Sequence, residues 1–348
     1  EKNDFGNVAL GIRRLSIIDL SSSGKQPMES KDRRYTIIFN GEIYNFKELK
    51  KELETYGAIF KSNSDTEVLL NAWIYWGKDC LNKIIGMFSF VIFDKLEQNL
   101  FCARDHFGMK PFFYFFDGEK FIFASEIKVI NNLVEKKNKL NWQTSYDYLV
   151  FGEYESSAQT FFQNIYQLSP AHLMNFSIKK NILSKPERYW WPSIKKNSEI
   201  SFIEAKKIIK EKIKKNITVH LRSDVPVGFM LSGGIDSSSI VCVAKNINKN
   251  LSINTFSYVA ENTAFNEKKW IDIINKEVGA VDRKFLAKDI NILENIEQII
   301  YSQGEPFRDT SIVAQYLVCK MAKSFGIKVL LEGQGADELF AGYNGYPA

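Results

Sequence analysis

The chain has 348 residues, 45% apolar and 25% charged, the balance of a globular protein with roughly two domains of about 100 to 200 residues each. Its net charge of +5 contains no block of five or six like charges, which argues against a nucleic-acid partner, and runs such as 87–93 and 111–116 are too short to span a bilayer. Cys80, Cys102, Cys242 and Cys319 lie in apolar contexts without CxxC spacing, and His106, His172 and His220 are far apart, so buried free thiols in a cytoplasmic protein are expected.

Residues 1–190 read as strand-rich. Runs at 35–39, 87–93, 100–103, 112–116 and 121–124 are aromatic and β-branched, broken by Gly, Asp and Asn. Asn45 is placed to cap a helix that carries Phe46, Leu49 and Leu53 and stops at Gly57. Ser64-Asp65-Thr66-Glu67 has the form of a capping box for a helix running to Gly77. Sequential strands with a helix pair predict a layered α+β domain. Residues 189–192, followed by Lys195-Lys196-Asn197-Ser198, read as a linker.

From 200 to 348 strand and helix take turns. A helix starts at Ser201 with Glu204 and runs to about Leu221. Then come strand 227–231, a helix from Asp236, strand 253–259, helix 266–278 ending at Gly279, helices near 289–302 and 311–325, and strand 327–331. This alternation predicts an α/β domain built on a parallel sheet.

Strand 227–231 breaks at Ser232-Gly233-Gly234, and a helix restarts at Asp236. Glycines let the backbone approach a ligand, a helix N-terminus offers unpaired N–H groups, and Ser232, Ser237 and Ser238 add hydroxyls. Together they suit phosphate, and a carboxylate there fits a bridging Mg²⁺. Strand 327–331 ends in a second such junction, Glu332-Gly333-Gln334-Gly335-Ala336-Asp337, so Asp337 is placed to share a magnesium with Asp236.

In the first half, Arg13-Arg14-Leu15-Ser16-Ile17-Ile18-Asp19, Asn40-Gly41-Glu42 and Ser64-Asp65 mix polar groups with apolar flanks. An Asn amide beside a Gly N–H can form an oxyanion hole, Arg14 offers a fork for a carboxylate, and Glu42 and Asp65 offer acceptors for an ammonium or amide. These groups complement a free amino acid with an amide side chain. Asn40-Gly41 also suits a hairpin turn, Asp65 the first turn of its helix, and Arg14 an ordinary surface cation.

The ordered set of motifs, with Gln26-Pro27-Met28, Ala103-Arg104-Asp105-His106-Phe107-Gly108-Met109-Lys110-Pro111, Ala124-Ser125-Glu126, 231–237 and 333–343, resembles glutamine-hydrolysing asparagine synthetase. In that family a class II, Ntn-type glutamine amidotransferase domain of αββα layering precedes an ATP-pyrophosphatase domain of the adenine nucleotide α-hydrolase kind. The resemblance implies the first over 1–190 and the second over 200–348, both incomplete. It implies a glutamine site of Arg14, Leu15, Ser16, Ile17, Ile18, Asn40, Gly41, Glu42 and Asp65, with Asn40 and Gly41 catalytic through the oxyanion. It implies an ATP site of Leu231, Ser232, Gly233, Gly234, Asp236, Ser237, Tyr258, Glu332 and Gly333, and Mg²⁺ on Asp236 and Asp337. ATP would convert aspartate to aspartyl-AMP, and ammonia from glutamine would displace AMP. The implied partners are glutamine, aspartate and ATP, with no nucleic acid and no membrane, in a possible homodimer.

Three departures qualify the likeness. The family's nucleophile is an N-terminal cysteine, whereas this chain begins Glu1-Lys2-Asn3, so it is not expected to hydrolyse glutamine by the usual route. It ends shortly after Tyr343, where the family's synthetase domain continues, which suggests a fragment. Gln334 stands where some members carry Glu, and an amide orients a substrate but is no carboxylate base. The other readings are a related amidotransferase or β-lactam-synthetase-like enzyme acting on another carboxylate, an inactive glutamine- or ATP-binding fragment, and a tRNA-modifying pyrophosphatase sharing the Ser-Gly-Gly-x-Asp-Ser loop.

Overall fold

The structure, a computed structural model, describes residues 2–4, 6–134, 139–154, 156–194, 199–261, 266–289 and 292–343. It divides into two compact units, Glu1–Lys195 with Gly304–Phe307, and Lys196–Gln303 with Arg308–Ala348. The linker expected at 195–198 lies outside the described residues.

The strands of the first unit are β1 (Lys2–Asp4), β2 (Ala9–Gly11), β3 (Met28–Glu29), β4 (Tyr35–Ile43), β5 (Gly86–Asp94), β6 (Asn99–Arg104), β7 (Phe113–Phe116), β8 (Phe121–Ala124), β9 (Ile165–Gln167), β10 (His172–Ser177), β11 (Ile182–Leu183) and β12 (Glu187–Arg188). Its helices are α1 (Phe46–Thr55), α2 (Asp65–Trp76), α3 (Ile127–Leu133) and α4 (Trp142–Phe151). An antiparallel sheet runs in the order β11-β10-β6-β5-β4-β3, with β12 also on β10, and a smaller one runs β8-β7-β9.

Side-chain alternation assigns the layers. Phe90 and Ile92 of β5 and Phe101 of β6 face Leu49 and Leu53 of α1 and Leu69 and Ala72 of α2. Their neighbours Val91, Phe93, Leu100 and Cys102 face the other way and meet Tyr114 of the smaller sheet and Phe112 just before it. Phe115, next along β7, turns to Ile127 and Ile130 of α3. Because β5 is covered on both faces, its sequence from Met87 to Phe93 is apolar at every position but Ser89.

Two expected caps form differently. Asn45 occupies the N-cap of α1 without capping it; its Nδ2 donates to Lys83 O (2.9 Å) and its Oδ1 accepts from Ile85 N (2.8 Å). Ser64 Oγ accepts from Thr66 N at 3.2 Å, but Glu67 does not close the box, because its carboxylate accepts from Lys61 N and from Ser62 N and Oγ.

The second unit comprises α5 (Phe202–His220), β13 (Val227–Met230), α6 (Ile235–Ile247), β14 (Asn254–Val259), α7 (Lys268–Val278), β15 (Val281–Leu286), α8 (Ile292–Gln303), α9 (Ser311–Ser324), β16 (Val329–Leu331) and α10 (Ala336–Phe340). Its four strands are parallel in the order β15-β14-β13-β16. Phe229 and Val259 pack with Val241 of α6 and Ile271 of α7 on one face. Phe256 packs with Val318 and Ala322 of α9 on the other. The chain steps outward from β13 to β15 and then returns to place β16 on the opposite side of β13. That reversal is a topological switch point, where open parallel sheets bind ligands outside the carboxyl ends of their strands.

Candidate functional site

Each unit carries one site. In the first, a cavity of about 1150 Å³ is lined by Arg14, Leu15, Ile17, Ile18, Asn40, Gly41, Glu42 and Asp65. Ser16 lines an adjoining cavity of about 500 Å³ instead.

Local folding brings these groups together. Arg14 Nη2 donates to Ile18 O (2.6 Å) and Asp19 O (3.0 Å), curling the 14–19 loop around its own guanidinium. The Asp19 carboxylate accepts from Ser21 N and Oγ and, at 2.9 Å, from Asn63 N, which fastens that loop to the turn before α2. Gln26, buried, bridges β4 and α2: its Oε1 accepts from Phe39 N (2.7 Å) and its Nε2 donates to Thr66 Oγ1 (3.1 Å). Asp65 Oδ2 then accepts from Ile43 N at 3.0 Å.

Asn40 and Gly41 lie inside β4, opposite Ser89 and Phe88, so the hairpin turn left open by the sequence is not formed. The glycine serves close approach: a β-carbon at Gly41 would sit 2.0 Å from Met87 O. Asn40 Nδ2 donates to Ser125 Oγ at 3.1 Å.

Burial concentrates charge here. The Glu42 carboxyl is pushed up to about 7 by burial and by repulsion from Asp65, with Lys110 opposing. Burial raises Asp65 to about 6 against the N–H groups of Ile43 and Thr66 and the charge of Arg14. Lys110 is lowered by burial, with Glu42 and Asp105 opposing. Glu42 and Asp65 together with Arg14 and Lys110 at one cavity can complement a zwitterion, and Asn40 can donate toward an amide carbonyl. Lys110, Ser125 and Gln26 carry no role in the reading of the sequence, although each lies in a motif singled out there.

The second site lies at the switch point. Gly234 is the N-cap of α6 and supplies no side-chain cap, and among the described residues no side chain is bonded to the first-turn N–H groups. Ser237 Oγ accepts from Ser232 N (3.2 Å) and lies 3.0 Å from Ser232 Oγ, which curls the loop. Ser238 Oγ is buried without a partner. Gly233, at φ +91, backs onto the Glu267 carbonyl. A β-carbon at Gly333 would lie 3.0 Å from both Asp236 Cβ and Ser237 N, so the loops after β13 and β16 touch.

The remaining expected residues are distributed unevenly. Leu231 is 1% exposed and packs toward α6 and α7, whereas Tyr258 belongs to the layer under α9, so their side chains occupy opposite faces of the sheet. Glu332 and Gln334 are exposed in the loop after β16. Asp337 lies in the first turn of α10, where its carbonyl accepts from Gly342 N at 2.9 Å. Among the described residues no three His, Cys, Asp or Glu side chains converge as a metal site. The uncapped turn, the bare glycine backbone and the orphaned Ser238 hydroxyl fit a phosphate group. Asp236 beside that turn fits a hard cation that takes carboxylate and phosphate oxygens together.

Residues 3–190 match the family described as glutamine amidotransferase domain, and 209–348 match asparagine synthase. Asparagine synthetase (glutamine-hydrolyzing) 1 of Bacillus subtilis is 36% identical over 346 residues, covering 98% of this chain and 52% of that protein. Putative asparagine synthetase (glutamine-hydrolyzing) 2 of Methanocaldococcus jannaschii is 35% identical over 368 residues, 98% of this chain and 68% of that protein. Asparagine synthetase (glutamine-hydrolyzing) 3 of B. subtilis is 32% identical over 353 residues, 97% of this chain and 56% of that protein. The chain thus spans about half the length of the B. subtilis relatives. No described helix is long and apolar enough to cross a membrane.

Proposed function

Since the chain belongs to the glutamine-hydrolysing asparagine synthetase family, we propose that its first unit is an Ntn-type αββα glutamine site and its second an ATP-pyrophosphatase site that activates a carboxylate. The observation that carries this reading is the single cavity in which buried Glu42 and Asp65 meet Arg14, Asn40 and Gly41.

In the first site Arg14 takes the glutamine carboxylate, Asp65 takes its ammonium, and Glu42 accepts from its N–H groups. The 15–18 backbone walls the ligand. The Asn40 amide and the Gly41 N–H donate to the amide oxygen, where negative charge develops when the carbonyl is attacked. In the second site the 232–237 loop and the N-terminus of α6 hold the pyrophosphate of ATP, with Leu231, through its backbone, and Tyr258 toward the base and Glu332-Gly333 along the opposite wall. The side-chain carboxylate of aspartate attacks the α-phosphorus, giving aspartyl-AMP and releasing pyrophosphate. Ammonia then attacks the acyl carbon and expels AMP. Gln334 orients substrate through its amide. Asp236 and Asp337 would hold Mg²⁺, which when bound offsets phosphate charge.

The test is formation of AMP, pyrophosphate and asparagine from ATP and aspartate, with ammonium and then with glutamine as nitrogen source. AMP formed with another carboxylic acid, but none with aspartate, overturns the aspartate assignment in favour of a sister amidotransferase.

A further inference from the structure

Lys110 is a partly buried cation that the glutamine reading leaves unused. It lines the same cavity as Glu42, and among the described residues its ammonium makes no salt bridge or hydrogen bond. Its backbone is fixed on both sides: Lys110 N donates to Asp105 Oδ2 (2.9 Å), and Lys110 O accepts from Arg104 Nε (2.7 Å). Gly108, at φ +69 and packed against Pro170 and Arg104, turns the loop. Pro111 O accepts from Ser89 Oγ at 3.0 Å, and Ser89 lies opposite Asn40, two residues along β5 from the partner of Glu42. The loop is therefore anchored beside the stretch of β4 that carries Glu42.

Glu42 is 5% exposed, and among the described residues nothing donates to its carboxylate. The two charged ends stand more than 4.0 Å apart, since they form no salt bridge, and both line the same cavity. The other titratable or charged groups acting here are Asp65 from α2, Tyr44 just beyond β4, Asp105 beneath Lys110, and Arg14, which acts on Asp65.

Resting on the glutamine reading above, we propose that Lys110 is a positioning residue, the counter-charge across the cavity that makes Glu42 an acceptor for the N–H groups of bound glutamine. A neutral Glu42 would keep only its carbonyl oxygen as an acceptor and lose the charge that strengthens those bonds, so the contact weakens. Burial and Asp65 both favour that neutral form, and Lys110 opposes them. Removing the ammonium moves a group that already titrates near neutrality.

The experiment measures glutamine affinity by calorimetry from about pH 5.5 to about pH 9 for this chain, Lys110→Met and Lys110→Arg. In parallel the Glu42 carboxyl is followed by carbon-13 NMR, assigned with Glu42→Gln. In Lys110→Met the Glu42 midpoint and the break in affinity should both move up by about one pH unit, the low end for loss of a nearby opposite charge. Affinity should fall several-fold near neutrality and recover at the alkaline end, and Lys110→Arg should keep both near their original positions. A merely structural lysine would lower affinity equally at every pH. Glutamine bound with an unmoved break in Lys110→Met overturns the role of Lys110. If the unaltered chain binds no glutamine at any pH, the glutamine reading fails, whatever the Glu42 midpoint does.

Discussion

The Asp65 carboxylate accepts the backbone N–H of Ile43 at 3.0 Å, so the first turn of α2 is tied to the strand that carries Asn40, Gly41 and Glu42. Asparagine keeps an acceptor for that N–H, whereas alanine leaves it buried and unpaired. Asp65→Ala should cost about 1–3 kcal/mol in urea unfolding and Asp65→Asn much less. Both should weaken glutamine binding by about tenfold or more, the scale of a lost charge-assisted hydrogen bond. Equal stability losses in the two variants would count against the tie.

Glu42 and Asp65 titrate higher in the fold than their ordinary values of 4.5 and 3.8, at about 7 and about 6. Between those limits the folded chain keeps protons that the unfolded chain has lost. Their contribution to stability therefore falls as pH rises from about 4 to about 7 and is level above that. Glu42→Gln removes one share, so this variant should be more stable than the unaltered chain near pH 8, by on the order of 1–3 kcal/mol, and equal to it near pH 4. A stability gap independent of pH would show that burial is not what raises Glu42.

Gly41→Ala places a methyl group where Met87 O lies 2.0 Å away and the Phe88 α-carbon 2.8 Å away. Both obstacles are backbone of the central strand β5 and cannot rotate aside. The substitution should cost about 3 kcal/mol, read as a lower denaturant midpoint. An unchanged midpoint would mean that β4 and β5 part there without strain.

Gly333→Ala pushes against Asp236 Cβ and Ser237 N, and should separate the loops after β13 and β16 while leaving the strand pairing intact. ATP binding should fall by about tenfold or more with little change in melting temperature, because the disturbance is confined to the ligand-facing edge. Asp236→Asn should abolish ATP cleavage in a folded protein. Full turnover in Asp236→Asn would remove the magnesium role assigned to that carboxylate.

What the sequence disclosed depended on how local the cause was. The run 87–93 announced β5 because both its faces are covered. β15 escaped notice because Asp282, Arg283 and Lys284 sit in an edge strand, where charge is tolerated. Lys284 pairs with its neighbour Asp282 but its Nζ also reaches back to Asp272 at 2.7 Å, and Arg283 covers the distant Phe325 ring at 4.0 Å. Arg14, Asn40, Glu42 and Asp65 stood out as polar groups between apolar flanks and again through motif resemblance, and the fold places them around one cavity. Ser125 stayed silent because it meets Asn40 only across separate layers, and Lys110 because only the folded cavity brings it near Glu42. No spacing rule spans such distances.

Val227 of β13 pairs with Val329 of β16, and α6, β14, α7, β15, α8 and α9 lie between the two strands in the sequence. During synthesis on the ribosome, the turn after β13 therefore emerges long before the wall that completes it. Such distant pairing is slow to form. A half-made polypeptide should have little grip on cellular ATP, and nucleotide affinity should arrive abruptly once β16 has slotted in.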